Sequence, residues 1–249
     1  MLARDTKTLD DVYRLVTDYV REHTNDTVFS GPFAGMKLLP DVSWRATTLS
    51  PMLLGCYECE LHTAIEQEIE RLSKLPQPRI ANLGCGQGYY AVGFAKRIPH
   101  ACVFAVDIDE DSLAICMRTA ELNNTPNVVR GVDITEIMTT SDLFFIDVEG
   151  NEITYLDLER FPSLTQATMI VEIHNLPETS SLGKQQTDMI LFDRFKETHN
   201  IAAVFEGGRN PNYFEFLGHL NSTERWLAVT ENRPCLMDWF VMRPKGVNK

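Results

Sequence analysis

The sequence predicts a doubly wound, Rossmann-like α/β fold with a mainly parallel, seven-stranded sheet. From Arg79 onwards, short apolar runs typical of strands alternate with stretches that have the apolar spacing of helices. Such alternation indicates parallel strands covered by helices on both faces of the sheet. A second observation is the continuously apolar run Leu143–Ile146, which is typical of a strand buried on both faces. The central strands are therefore expected in the middle of the chain.

A helical N-terminal appendage, 1–75, is predicted ahead of the domain that holds the sheet, 76–249. Apolar residues recur at helical spacing over 8–23, and Thr8 is placed where an N-cap belongs. A second amphipathic helix is predicted over 54–75, where two prolines follow and end it. The appendage is thus expected to be built from helices.

We expect the appendage to cover the cofactor side of the sheet, because its second helix leads directly into the first strand. This placement would bring Tyr57 and Glu58 close to the site. A separate dimerisation arm, which would make the protein a homodimer, is the alternative.

Seven strands are predicted along the remaining chain: 80–83, 101–107, 128–132, 142–148, 168–173, 201–205 and 238–242. Helices are predicted over 89–97, 112–122, from Gly150 to about Arg160, and over 184–198. The long connection 207–233 contains several aromatic residues. Two interpretations of it stay open, a functional loop and an extra hairpin packed on the core.

Composition excludes several classes of protein. The chain has 249 residues, a hydrophobic content of 44% and a formal net charge of −12, which argues against broad binding to nucleic acid or to anionic membranes. No apolar run approaches the length of a membrane span, and the first residues lack the apolar core of a signal peptide.

The cysteines also bear on location. Cys56 and Cys59 form a C-x-x-C pattern, but neither a redox unit nor a second pair of zinc ligands accompanies it. The six cysteines are therefore interpreted as reduced thiols, which predicts a cytoplasmic protein.

A glycine-rich loop follows the first predicted strand and precedes a helix. Gly84, Gly86 and Gly88 have the spacing G-x-G-x-G, whereas dinucleotide binding would require glycine at the position of Tyr89. This loop resembles that of class I S-adenosylmethionine (SAM) methyltransferases. Glycine lets the backbone approach a ligand closely, and the helix N-terminus offers free N–H groups. The loop is therefore predicted to bind SAM rather than NAD.

Further cofactor contacts are predicted from the ends of neighbouring strands. Asp107 ends the second strand, where a carboxylate can accept two hydrogen bonds from a ribose diol. Ile108, Asp133 at the end of the third strand, and Asp147 are also predicted to contact SAM. Asn82, at which the segment leading into the loop begins and where SAM enzymes commonly have an acid, and Glu58 are predicted to contact SAM as well.

Four polar residues follow the fourth and fifth strands. Asp147 and Glu149 are two residues apart, as are Glu172 and His174, so each pair shares one face of its strand. Neighbouring strands would bring all four into one crevice beyond the sheet. Histidine can accept a hydroxyl proton near neutral pH, and clustered carboxylates can orient a hydroxyl group or hold Mg²⁺.

Several segments resemble the FkbM-type family of SAM-dependent methyltransferases. These are Asp147-Val-Glu-Gly-Asn-Glu152, Val171-Glu-Ile-His174, Glu231-Asn-Arg-Pro234 before Asp238-Trp-Phe-Val241, and Tyr57-Glu58-x-Glu60. The resemblance covers about 57–242. It implies a SAM-binding sheet whose last strand is antiparallel, and O-methylation of small molecules, often sugars or natural products. It also implies that the three loop glycines face the methionine part of SAM and that Asp107 faces the ribose.

These observations favour an O-methyltransferase that acts on a small-molecule acceptor, not on nucleic acid or at a membrane. His174 is the predicted general base, with Asp147 and Glu172 as catalytic partners. Acceptor contacts are predicted for Glu149, Asn175 and Tyr213. A catalytically silent SAM-binding subunit that supports a partner protein is the alternative, and a nicotinamide dehydrogenase is disfavoured by Tyr89.

Overall fold

The computed structural model describes residues 8–39, 48–175, 177, 186–233 and 235–246. Its strands are β1 (Arg79–Leu83), β2 (Cys102–Val106), β3 (Val128–Arg130), β4 (Leu143–Ile146), β5 (Thr168–Ile173), β6 (His199–Phe205) and β7 (Asp238–Pro244). Its α-helices are α1 (Leu9–Thr24), α2 (Leu49–Leu54), α3 (His62–Leu72), α4 (Tyr89–Arg97), α5 (Glu110–Leu122), α6 (Ile134–Thr140), α7 (Glu152–Tyr155), α8 (Thr187–Phe195) and α9 (Ser222–Val229).

The seven strands form one sheet in the order β3-β2-β1-β4-β5-β7-β6. The pairs among β1 to β5 are parallel, and β7 is antiparallel to both β5 and β6. The predicted fold class, with its antiparallel last strand, is confirmed. Strand order reverses between β1 and β4, so a crevice opens beyond their carboxyl ends, which is where open α/β sheets bind ligands.

Two hydrophobic clusters cover the faces of the sheet. The larger contains α4 residues such as Phe94 and residues of the N-terminal helices such as Leu53 and Ile65. The other contains Phe144 and Leu191, from β4 and α8. The helices of the predicted cover therefore share a core with the sheet. None of the helices in the described ranges is both long and apolar enough to cross a bilayer.

The first helix agrees with its prediction, because Thr8 caps α1 in a capping box with Asp11. The helix predicted over 54–75 is wrong in its first part. Gly55 adopts a left-handed conformation that ends α2, and Glu58 is also left-handed, with φ of 46°. A short 3₁₀ turn and α3 then follow. The apolar spacing over 54–61 thus marks burial in an irregular segment, not a helix.

Other boundaries differ more locally. The helix predicted between Gly150 and Arg160 is only the single turn α7, and α6 was not predicted. The helix predicted over 184–198 corresponds to α8, and its first two predicted residues lie outside the described part of the chain.

The connection between β6 and β7 is helical, so the hairpin interpretation is wrong. It contains two short 3₁₀ turns followed by α9. It packs on the N-terminal helices, where the Tyr19 hydroxyl donates to the Phe216 carbonyl at 2.8 Å and the Ser50 hydroxyl donates to the Ala228 carbonyl at 2.6 Å. The N-terminal helices and this connection therefore cover the same face of the sheet.

Candidate active site

The glycine loop is fixed to the ends of two neighbouring strands. The N–H groups of Gly84 and Cys85 both donate to the Val106 carbonyl, at 2.8 and 3.0 Å. Gly84 has φ of 74°, and a side chain there would overlap the carbonyl oxygen of Asp147. Glycine is required here both for its backbone conformation and for the close approach to β4.

The next two glycines differ in their surroundings, and only Gly86 lines the cavity. Gly86 has open space where a side chain would lie, whereas a side chain on Gly88 would come within 2.9 Å of the Cys116 sulfur. Gly88 adopts the left-handed conformation at the N-cap of α4. The first turn of that helix leaves N–H groups without partners inside the helix, as a ligand for this loop requires.

Asp107 connects the loop to β2. Its Oδ2 accepts from the Gly86 N–H at 2.8 Å, and its Oδ1 accepts from the Asp109 N–H at 2.9 Å. A carboxylate oxygen has two lone pairs, so each oxygen retains one for a further donor. Asp107 can therefore hold the loop and accept hydrogen bonds from a ribose diol at the same time.

A cavity lies between the loop, the N-terminal segment and the end of β4. Aromatic residues line it, among them Tyr57 and Tyr155. Its described wall also carries carboxylates but no lysine or arginine. The carboxylates are Asp107, Asp109, Asp147 and Glu149. The cavity wall is thus apolar in part and otherwise anionic.

His174 follows β5 and lies among four carboxylates. Its Nδ1 is 2.7 Å from Glu152 Oε1. Its Nε2 is 3.5 Å from Glu149 Oε2, 3.8 Å from Glu172 Oε2 and 3.9 Å from Asp147 Oδ1. The structure therefore brings together the four residues that the sequence places at the strand ends, and Nε2 is the nitrogen that faces them.

Glu152 is a site residue that the sequence patterns do not predict. It is fully buried at the start of α7, and its Oε1 also accepts from the Gly150 N–H at 3.0 Å. The hydrogen bond between Nδ1 and Glu152 fixes the orientation of the His174 ring and leaves Nε2 to face the crevice. In the sequence, Glu152 is marked only as an acid shortly after β4, in the segment that resembles FkbM-type enzymes.

Charge and burial shift the pKa values of two of these groups. Burial alone would lower the pKa of His174, but the hydrogen bond to Glu152 and the charges of Glu172 and Glu149 outweigh it and raise that pKa above 6.5. Burial and the negative charge of Glu172 raise the pKa of Asp147 well above its ordinary value. In both cases nearby carboxylates raise the pKa, and for Asp147 burial acts in the same direction and is the larger cause.

A buried ion cluster supports the crevice from behind, and we call it the arginine cluster. Its members are Arg209, Arg233, Glu58, Glu60, Glu172 and Glu231. Arg233 donates from Nε to Glu231 at 2.7 Å, from Nη1 to Glu172 and from Nη2 to Glu58. Each side of its guanidinium is therefore occupied by a carboxylate.

Arg209 is bound in the same way. Its Nε donates to the Cys56 carbonyl at 2.9 Å, and its Nη2 contacts Glu231 and Glu60. Burial and the charge of Glu172 raise the pKa of Glu58 to about 8, although Arg233 opposes this. The sequence did not reveal the cluster, because its members come from four distant segments whose proximity only the fold shows.

Glu172 is shared between the two groups of residues. Arg233 binds its Oε1, while its Oε2 faces His174. Glu58 lies behind the cavity rather than in its wall, where Tyr90 and Arg233 donate to it. Neighbouring Tyr57 does line the cavity.

Like Glu58, the predicted site residues Gly88, Glu172 and His174 do not line this cavity, and the following four also lie outside its wall. Asn82 is buried within β1, where its Nδ2 donates to the Phe145 carbonyl at 3.4 Å and its Oδ1 has no partner. Asp133 caps α6, Asn175 accepts from the Asp188 N–H at 3.3 Å, and Tyr213 is 81% exposed. Their binding roles stay predictions. Ile108 does line the cavity.

One set of residues has the arrangement of metal ligands. Asp147, Glu149 and His174 each offer one ligand atom, and these atoms lie within 4.8 Å of one another. Such a set suits a divalent cation, although Mg²⁺ prefers oxygen ligands throughout. Magnesium at this position stays a prediction.

Comparison with known proteins relates part of the chain to methyltransferases. The family model of the methyltransferase small domain matches residues 63–146. Release factor glutamine methyltransferase from Flavobacterium psychrophilum is 36% identical over 88 residues, which cover 34% of this chain and 28% of that protein. The enzyme of the same name from Xylella fastidiosa strain 9a5c is 34% identical over 89 residues, covering 36% and 30%. The matches thus span less than a third of these relatives.

The chain is also similar to solved structures of methyltransferases. A putative O-methyltransferase from Klebsiella pneumoniae has a TM-score of 0.46 at 12% identity, covering 97% of this chain and 93% of that one. Magnesium protoporphyrin IX methyltransferase from Synechocystis PCC 6803, with bound SAM, has a TM-score of 0.42 at 13% identity, covering 96% and 100%.

The family match includes the glycine loop and β1 to β4 but ends at Ile146. The crevice residues that follow, from Asp147 to His174, lie beyond it. These matches do not name the FkbM-type family, so that resemblance stays a prediction. The matched segment and the seven-stranded topology support the broader class, a class I SAM-dependent methyltransferase.

Proposed function

We propose that the protein transfers a methyl group from SAM to a hydroxyl group of a small-molecule acceptor. The observation that carries this proposal is the pair His174 and Glu152, whose reactive nitrogen faces a crevice beside the glycine loop. A hydroxyl group is a weak nucleophile until a base accepts its proton, and this pair is built to do so.

The cavity has features that fit SAM. Open space at Gly86, the free N–H groups of the first turn of α4 and the available lone pairs of Asp107 suit a nucleoside with an amino-acid tail. Asp147 Oδ1 is buried without a hydrogen-bond partner, as expected for an atom that binds a cationic ligand. SAM, when bound, supplies an electrophilic methyl group on a sulfonium sulfur.

The protein then has two tasks, which are to align the acceptor and to receive its proton. Glu152 holds His174 through Nδ1, so Nε2 accepts the hydroxyl proton, and the carboxylate favours the imidazolium that forms. Tyr57 and Tyr155 line the cavity and help to exclude water. Alignment and exclusion of water are the main demands of methyl transfer from a reactive donor.

A second candidate is N-methylation of a glutamine side chain in a protein, which the names of the relatives suggest. Those matches cover about a third of this chain, and the family model ends before the crevice residues. An amide requires a different activation from a hydroxyl group, so the base at His174 favours the hydroxyl acceptor.

Calorimetry and mass spectrometry test the proposal. The purified protein should bind SAM and S-adenosylhomocysteine in preference to NAD, and denatured protein should release any co-purified ligand for identification. Incubation with hydroxyl-bearing small molecules should yield a methylated product and S-adenosylhomocysteine. Methylation confined to glutamine in added release factor would favour the second candidate, and lack of SAM binding would reject both.

A further inference from the structure

Gln87 lies in the glycine loop, between Gly86 and Gly88, and its side chain has a polar atom that the protein itself leaves unpaired. The residue lines the cavity and is only 7% exposed. Its Oε1 is buried and has no hydrogen-bond partner in the described part of the chain. A buried acceptor without a partner is unfavourable, so a ligand that donates a hydrogen bond to this oxygen gains affinity.

Met52 fixes the orientation of the Gln87 amide. The Nε2 of Gln87 donates to the sulfur of Met52, which belongs to α2 and lines the same cavity. A thioether sulfur can accept a hydrogen bond but cannot donate one, so the amide nitrogen faces Met52 and the oxygen is left for another donor. The side chain therefore offers the cavity an acceptor and not a donor.

The helix that follows Gln87 offers groups of the opposite kind. The first internal hydrogen bond of α4 joins the Val92 N–H to the Gly88 carbonyl at 2.9 Å, so the N–H groups of residues 89–91 have no acceptor within the helix. Such a helix N-terminus favours a carboxylate. An α-amino acid carries an ammonium and a carboxylate on the same carbon. It therefore matches an amide oxygen that immediately precedes free N–H groups.

The usual ammonium ligand of SAM enzymes is absent from this chain. Asn82 occupies the position where an acid is common, and it is uncharged. Its Nδ2 donates to the Phe145 carbonyl at 3.4 Å, and the residue does not line the cavity. Within the loop itself, 84–88, only Gln87 has a side-chain oxygen. Gln87 is thus the loop residue that can accept a hydrogen bond from the amino-acid end of SAM.

We propose that Gln87 Oε1 binds the α-ammonium group of SAM, so that a neutral amide in the glycine loop replaces the carboxylate that SAM enzymes commonly use. The proposal rests on the proposed function, since it concerns the cofactor of the same site. A neutral oxygen accepts from the ammonium without repelling the carboxylate on the same carbon, which the N-terminus of α4 attracts. Recognition of the amino-acid end then depends on hydrogen bonds and on the helix rather than on an ion pair.

Ligands that differ only at the amino-acid end test this inference by calorimetry with the full-length protein. S-adenosylhomocysteine lacks the sulfonium charge, so comparing it with the analogue in which hydrogen replaces the α-amino group isolates the ammonium. The unaltered protein should bind the amine about tenfold or more tightly than the deaminated analogue, as expected for a hydrogen bond to a charged group. 5′-Methylthioadenosine, which lacks the whole amino-acid end, reports on the adenosine side of the site.

A variant and a matched control locate the effect. Gln87→Met should lower the affinity for S-adenosylhomocysteine about tenfold or more, while the affinities for the deaminated analogue and for 5′-methylthioadenosine change less than about twofold. Because the variant removes an unpartnered buried oxygen, its melting temperature should be retained or raised. Gln87→Leu is a second variant with the same expected result. Gln166→Met, at an exposed residue outside the cavity wall, should leave all three affinities unchanged.

The outcomes separate the role of Gln87 from the proposed function. Equal binding of S-adenosylhomocysteine and its deaminated analogue by the unaltered protein overturns the role of Gln87, as does an equal loss of affinity for both ligands in Gln87→Met. A preference for the amine that persists in Gln87→Met overturns it too, and loss of that preference in Asn82→Ala or Asp147→Asn would then identify the residue that binds the ammonium. Each of these results leaves SAM binding intact. Failure of the unaltered protein to bind SAM rejects the proposed function itself.

Discussion

At His174, two kinds of carboxylate act on one imidazole ring. Glu152 is buried and hydrogen-bonded to Nδ1, so it fixes orientation as well as charge. Glu149 and Glu172 face Nε2 at longer distances and contribute through charge alone. The net effect is a raised pKa for His174, which determines the pH range in which it can accept a proton.

We expect turnover to rise with pH through the pKa of His174, above 6.5, because Nε2 must be unprotonated to serve as a base. Glu152→Gln keeps an oxygen acceptor but removes a charge, so it should lower that pKa and move the profile to lower pH. His174→Ala should reduce turnover by about 10²–10⁴-fold while SAM still binds. Turnover of the unaltered protein and of both variants is measured from pH 5 to 9, and their affinity for SAM is measured by calorimetry.

Near-normal turnover of a folded His174→Ala variant would contradict the base assignment. If the residue were only structural, the variant would instead show a lower melting temperature with turnover retained. If a metal were bound there, a chelator would abolish activity and added metal would restore it.

The predicted contact between Asp107 and the ribose of SAM can be tested by substitution. Asp107→Ala should weaken SAM binding by about 1.5–3 kcal/mol, the range for hydrogen bonds to a charged group. Part of this loss comes through the loop, because Oδ2 holds the Gly86 N–H. Calorimetry that found an unchanged affinity would reject the ribose assignment.

The glycine loop is the element on which cofactor binding depends, and its glycines differ in what they tolerate. Gly84 and Gly86 both have positive φ, but a side chain on Gly84 overlaps the backbone of Asp147 whereas Gly86 faces open space. The same motif in the sequence therefore contains one position fixed by packing and one fixed mainly by conformation.

Gly84→Ala should lower the melting temperature and abolish SAM binding, because the added side chain overlaps the carbonyl oxygen of Asp147 while the loop is hydrogen-bonded to Val106. Gly86→Ala is the matched control, since it should cost about 1–2 kcal/mol for the left-handed conformation alone. Thermal unfolding and calorimetry of both variants compare them. Equal loss of stability would mean that contact with Asp147 does not restrict Gly84.

Local sequence patterns predict this fold well where local forces decide it. The helix α4 and the strand β5 have the predicted limits, because apolar periodicity and flanking turn residues coincide there. The segment around Glu58 was not predicted, because its left-handed backbone is held by Arg233 and Glu231, which lie far along the chain. Such distant ion pairs leave no periodic signal in the sequence.

In the site too, residues placed by local patterns could be predicted, and residues placed by the path of the chain could not. His174 and Asp147 follow recognisable strands, so the parallel topology alone places them together. Glu152 requires knowledge of how the chain turns after Gly150, which the periodicity does not give. The prediction for Asn82 rests on its place in the glycine-loop segment and that for Tyr213 on its residue type in the long connection, and neither residue lines the cavity.

Across the whole molecule, the N-terminal segment and the long connection between β6 and β7 meet at the arginine cluster. Arg233→Met would leave Glu58, Glu172 and Glu231 without their shared partner in a buried setting. We expect a loss of about 3–5 kcal/mol in the free energy of unfolding, as for other broken buried ion pairs. Because protonated carboxyl groups repel less, the loss should diminish as pH falls, and denaturant unfolding at pH 5 and 8 measures this.

SAM binding should also protect the N-terminal segment. Thr48, Met52 and Tyr57 line the cavity, so their backbone should exchange hydrogen more slowly when SAM is present. Hydrogen exchange followed by mass spectrometry over 50–65 measures this, with α6 as an internal control outside the cavity. No change over 50–65 would count against a cover that closes on the cofactor.

Arg209 and Arg233 lie near the two ends of the connection between β6 and β7, and both are bound to Glu231 in the buried cluster. The ends of this segment are thus secured without relying on the peptide chain between them, while Tyr213 in that stretch is 81% exposed. A protease that cuts beside Tyr213 should therefore leave a nicked protein whose two fragments co-elute in native chromatography and separate only in denaturant.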